Sequence, residues 1–86
     1  MELALNSFEV ILQMAEKGNP ASVTDAGVGA LCARAAVHGA FLNLRINTGD
    51  LQDKDFVNQI LEKGTEMVKM ADELEAEVMK IVNSKI

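Results

Sequence analysis

Asp25, Asn43 and Asn47 are the residues of this chain whose types and spacing could do chemistry. Placed at about 100° per residue, Asp25 and Asn43 share one face of a helix with Gly29, Cys32, Ala36 and Gly39, and Asn47 lies close beside it. A carboxylate can take up or deliver a proton, and an amide both donates and accepts hydrogen bonds. The plainer readings stand beside these. Asp25 is equally suited to capping a helix, and the two asparagines to forming a polar layer that holds helix register. Ser22, one turn before Asp25, is a cap or a ligand-binding hydroxyl. Arg34, His38 and Arg45 form a charged ridge on the opposite side, of the kind that is usually solvated or paired with acids of a neighbouring element. No Ser, Cys or acid stands at triad-like spacing from His38, so it is not read as catalytic. Cys32 sits among small residues and reads as packing. One cysteine and one histidine cannot build a zinc site, and no metal is expected.

The elements that must position these residues are helices. Asn19-Pro20 followed by Ser22, Thr24 and Asp25 offers acceptors for the unpaired N–H groups of a first turn, and Gly49-Asp50 supplies an exit, so a helix is expected over about 23–47. It is small or apolar over most of its circumference, with Ala26, Ala33, Val37, Ala40 and Leu44 on the face adjoining that of Asp25, the pattern of a buried helix that permits close approach. Before it, Ala4, Phe8, Ile11 and Ala15 repeat at helical spacing, with Leu5 and Leu12 beside them, which predicts a helix over 2–17 closed by Lys17 and Gly18. After it, Asp50 or Asp53 caps a third helix over about 53–83. There Val57, Ile60, Gly64, Met67, Ala71, Leu74, Val78 and Ile81 keep a three-four spacing.

No strand pattern or internal repeat appears, so residues 1–86 read as all-α: three long helices forming part of a helical bundle. At 1.5 Å per residue the third helix outruns the first by roughly 20 Å, and two neighbours cannot surround an apolar middle helix. An oligomer, a homodimer or larger, is therefore expected.

The net charge of −5 excludes a nucleic-acid backbone binder, which needs a basic stripe. A single cysteine fits a reducing cytoplasm. The N-terminus carries acids where a signal peptide needs a basic region, and no apolar run is expected to approach a membrane span. With three Phe and neither Trp nor Tyr, any flat ligand would be held by aliphatic walls, amides and carboxylates.

The run Gly18-Asn-Pro, Ser22-Val-Thr-Asp25-Ala-Gly-Val-Gly29, Ala35-Ala-Val-His-Gly-Ala-Phe-Leu-Asn43-Leu-Arg-Ile-Asn47 and Asp50 resembles the C-terminal part of formimidoyltetrahydrofolate cyclodeaminases and related methenyltetrahydrofolate cyclohydrolases. The combination of Asn-x-x-Ser-x-x-Asp at one end and Asn-x-x-x-Asn at the other carries the likeness, which extends weakly through the third helix. The resemblance implies an all-helical folate enzyme, working as an assembly, with a tetrahydrofolate derivative as substrate and no further cofactor. It implies either release of ammonia from the formimino group with closure to the methenyl form, or hydrolysis of that form. Ring closure needs a proton delivered to the leaving nitrogen and removed from the attacking one, a task for Asp25, with Ser22, Asn43, Asn47 and Asp50 as substrate-binding groups. Members of the family are much longer, and their glycine-rich N-terminal helices have no counterpart in this sequence. The competing expectation is a non-catalytic helical oligomerisation module, or an inactive fragment.

Overall fold

Residues 2–86 are described by a computed structural model, with Pro20 described in its backbone only. Three helices follow one another: α1 (Glu2–Lys17), α2 (Pro20–Thr48) and α3 (Lys54–Lys85). The described residues contain no strand.

Local chemistry sets the ends. Asn19 caps α2: its side chain accepts from the Ser22 N–H at 3.0 Å, with Pro20 opening the helix. Helix α2 thus begins three residues before the expected start, and Ser22, Thr24 and Asp25 lie inside it. The cap belongs to Asn19 because a proline at the first position leaves the next free N–H groups for the residue before it. Asp53, not Asp50, caps α3, accepting from the Phe56 N–H at 3.1 Å. At the α1–α2 elbow, a Cβ on Gly18 would stand 2.5 Å from the Met14 carbonyl oxygen and 2.8 Å from the Ser22 Cβ, so only glycine fits so tight a reversal.

Lys63 lies 3.8 Å from Glu2 near the start of α1, and Lys85 donates to the Glu16 carbonyl at its end. Helix α1 therefore runs parallel to α3 and antiparallel to α2, inside an elongated body of 51 × 16 × 15 Å. Phe8 and Ala15 of α1, Val23, Ala26, Ala30, Ala33 and Val37 of α2, and Ala71, Val78 and Val82 of α3 form the core. Burying this surface away from water is what holds three otherwise solvated helices together. Every residue of the α3 three-four seam, from Val57 to Ile81, is buried or half-buried.

Helix α2 is buried on one side only. Its Ala26–Ala33–Val37 face meets the core, while Val28 is 56%, Leu42 56% and Ile46 73% exposed. Helix α1 spans roughly 24 Å against about 43 Å for α2, so the α2–α3 hairpin projects beyond it, leaving Leu42, Ile46, Leu51 and Phe56 uncovered. Ala21–Thr48, at a mean hydropathy of 1.2, is also long and apolar enough by length and composition to cross a membrane. This corrects the expectation that no run approaches that length. A helix built from Ala, Gly and Val between widely spaced charges reaches the threshold without any block of large apolar residues, and the core helix of a water-surrounded fold meets the same measure.

Candidate functional site

The expected site residues divide between the two ends of α2. Ser22 is half-buried in its first turn and lines an open groove of about 310 Å³ with Val10, Gln13, Met14, Lys17 and Gly18. The groove exists because the tight elbow at Gly18 brings the outer side of α1 against the start of α2. Its walls are the apolar Val10 and Met14, and its polar groups are the Gln13 amide, the Lys17 ammonium and the Ser22 hydroxyl. Asp25 is exposed one turn further along. Asn43, Asn47 and Asp50 are exposed at the far end of α2 and in the turn that follows. Eighteen residues of helix separate Asp25 from Asn43, about 27 Å of axial rise. One chain therefore does not bring the carboxylate and the amides together.

The small-residue stripe between them is not uniform. A Cβ on Gly29 would touch the Ile11 side chain of α1 at 3.4 Å, whereas one on Gly39 would meet nothing within 4 Å. Gly27, outside the stripe, is the glycine that packs on α3, against Val82 and Met79. Cys32 and Ala36 are exposed.

The charged ridge contains a cluster that the residue spacing did not disclose. Arg34 Nε donates to Asp72 Oδ1 at 2.7 Å, and His38 Nε2 lies 2.7 Å from the same oxygen. The acid comes from the neighbouring helix α3, 34 residues from His38 in sequence, so this part of the ridge is paired with an acid of a neighbouring element. Hydrogen bonds from His38, then from Arg34, hold the Asp72 carboxyl below the usual carboxylate range. Donating to Asp72 in turn holds the Arg34 guanidinium above its ordinary value. A signal existed: counting back along both helices from the turn at 49–53 brings residues near 70 opposite Arg34. All three side chains are about 40% exposed, which fits a cross-helix surface tie. Arg45 instead lies over the Phe41 ring, 5.8 Å from its centroid. Among the described residues no group of three or more His, Cys, Asp and Glu is placed to hold a metal.

The sequence profile of the formiminotransferase-cyclodeaminase family matches residues 1–67. The formimidoyltransferase-cyclodeaminase of Dictyostelium discoideum is 31% identical over 85 residues, covering 99% of this chain and 16% of the relative. The methenyltetrahydrofolate cyclohydrolase of Methylorubrum extorquens is 34% identical over 73 residues, covering 85% of this chain and 35% of the relative. The formimidoyltransferase-cyclodeaminase of Gallus gallus is 30% identical over 80 residues, covering 93% and 15%. No solved structure matches the chain. The chain thus spans about a third or less of the length of these relatives. With its profile match extending through α1, α2 and the start of α3, this chain belongs to the formiminotransferase-cyclodeaminase family.

Proposed function

We propose that this chain forms part of a folate one-carbon enzyme acting on a tetrahydrofolate derivative in a reducing cytoplasm. It releases ammonia from the 5-formimidoyl form to give the 5,10-methenyl form, or hydrolyses the methenyl form. Supporting this reading is the pairing of the family match with the elbow groove. The groove has aliphatic walls for a flat ring, an amide and a hydroxyl for polar edges, and Lys17 for an anionic tail. Asp25 stands one turn from Ser22 and serves as the acid–base group. In ring closure the attacking nitrogen bonds to the formimino carbon and loses its proton, while the formimino nitrogen takes up protons and departs as ammonia. Asn43, Asn47 and Asp50 bind substrate at the other end of α2. The active unit is a homodimer or larger assembly built from a helical bundle.

The test is ammonia release and methenyl formation by the full-length protein carrying Asp25→Asn. A loss of at least about 100-fold in kcat with KM little changed is expected for removal of an acid–base group. Wild-type turnover would reduce Asp25 to a surface residue. The second reading, a non-catalytic oligomerisation module, is favoured by the uncovered apolar side of α2. It predicts assembly with no turnover by wild type.

A further inference from the structure

The sequence leaves one carbonyl at the α1–α2 elbow without its helical donor, and a side chain from α3 answers it. In a continuing helix the Glu16 carbonyl would accept from the N–H four residues on, but residue 20 is proline, which has none. The Met14 carbonyl is met from within the turn, by the Gly18 N–H at 2.8 Å. The Glu16 carbonyl accepts instead from Lys85 Nζ, 69 residues away in sequence. The ammonium therefore sits at the negative end of the α1 dipole, where a cation suits both the dipole and the unpaired carbonyls.

We propose that Lys85 is a positioning residue for the elbow groove: from α3 it holds the last turn of α1, and with it the groove wall that carries Gln13, Met14 and Lys17. The two sides of this bond are unequally fixed. On the α3 side, Lys85 follows Val78 and Val82, both buried, and the Val82 methyls reach to 3.5 Å from where a Gly27 Cβ would stand on α2. On the α1 side, Ala15 is the buried residue of the last turn, and a single methyl restrains rotation of the helix little. A second tie between α1 and α3, Lys63 with Glu2 at 3.8 Å, lies near the start of α1 between exposed side chains, so it does not hold the elbow.

Lys17 is the next residue after Glu16, and Ser22 stands on the opposite wall. A shift of the Glu16 backbone thus changes the spacing of the groove's polar groups. Lys85 acts through the Glu16 carbonyl and is not itself one of the groove's described lining residues, so its effect falls on binding and not on the chemical step. The consequence for turnover rests on the folate reading above; the clamp on the elbow does not.

Lys85→Met in the full-length protein tests it with two readouts, since methionine keeps an unbranched apolar chain and loses the donor. Hydrogen exchange at the Gly18 amide, whose bond to Met14 closes the last turn of α1, should quicken about 3–10-fold, with the amides of buried Val37 and Val78 unchanged. KM for 5-formimidoyltetrahydrofolate should rise about 3–10-fold with kcat within about 2-fold. Lys85→Arg, which keeps a donor, should restore both, and Lys80→Met, which removes a nearby cation from α3, should move neither. Unchanged Gly18 exchange in Lys85→Met would overturn the proposal. So would an arginine variant as impaired as the methionine one, an equal rise in KM in Lys80→Met, or faster exchange throughout the core, which would make Lys85 a contributor to general stability. Turnover with KM indifferent to Lys85→Met would remove the positioning role and leave the folate reading standing. A wild type without turnover would sink the folate reading, and faster Gly18 exchange in Lys85→Met would then uphold the clamp by itself.

Discussion

Phe41 of α2 lies directly over Gly64 of α3, so closely that a Cβ on Gly64 would stand 2.6 Å from the ring. The contact sits level with the start of α1, where Lys63, next to Gly64, lies 3.8 Å from Glu2. There the absent side chain of Gly64 sets how near α2 and α3 approach.

Gly64→Ala sets two effects against each other. Alanine gains up to about 1 kcal/mol of helix propensity, while overpacking a buried contact costs about 1–3 kcal/mol. Net destabilisation of about 1 kcal/mol is expected in urea titrations. In the Phe41→Ala background the ring is gone, so the same substitution should become stabilising. An equal effect in both backgrounds would show that the ring does not set the spacing.

The two ends of the Asn19–Ser22 hydrogen bond should behave differently. Asn19→Ala removes the accepting oxygen and should cost about 0.5–2 kcal/mol. Ser22→Ala keeps the N–H that donates to Asn19 and should stay within about 0.5 kcal/mol, since its hydroxyl is not the cap. If Ser22 also binds substrate, its alanine variant should raise KM with stability unchanged.

Asp72 should give the fold an acid limb. Its carboxyl is held below its ordinary range by hydrogen bonds from His38 and Arg34, so the stabilising contribution is complete above the unfolded pKa of about 4 and is lost as pH falls through the depressed folded value. Asp72→Asn should flatten that part of the curve of thermal midpoint against pH. The change should be small and diminished by salt, because all three side chains are partly solvated. A curve unaltered by the substitution would mean that the cluster is not maintained in solution.

Burial should separate the two sides of α2. Val37 is fully buried and Leu42 is 56% exposed. Val37→Ala should destabilise by about 2 kcal/mol through lost burial and the cavity left behind, and Leu42→Ala by less than about 0.5 kcal/mol in the monomer. If Leu42→Ala costs as much as Val37→Ala at high dilution, the outward side is covered from within the chain.

The three helices, their approximate extents and the faces of α1 and α3 were legible from residue order alone, because a 3.6-residue period leaves its mark wherever one side of a helix meets a core. The Asn19–Asp25 and Asn43–Asn47 patterns likewise carried the family likeness without any coordinates. Helix α2 shows where that legibility stops. A segment small or apolar all round has no period to read, so which side meets the core was decided by the neighbours. Tertiary packing put Ala26, Ala33 and Val37 inward and left Val28, Leu42 and Ile46 in the open. Local chemistry, by contrast, selected Asn19 over Ser22, Thr24 and Asp25 as the cap, since proline at the first helical position sets the start before them. Asp72 is far from His38 in residue order because the chain reverses between them; counting back from the turn places it only approximately, and the register of the α2–α3 hairpin decides that residues 34 apart come to 2.7 Å.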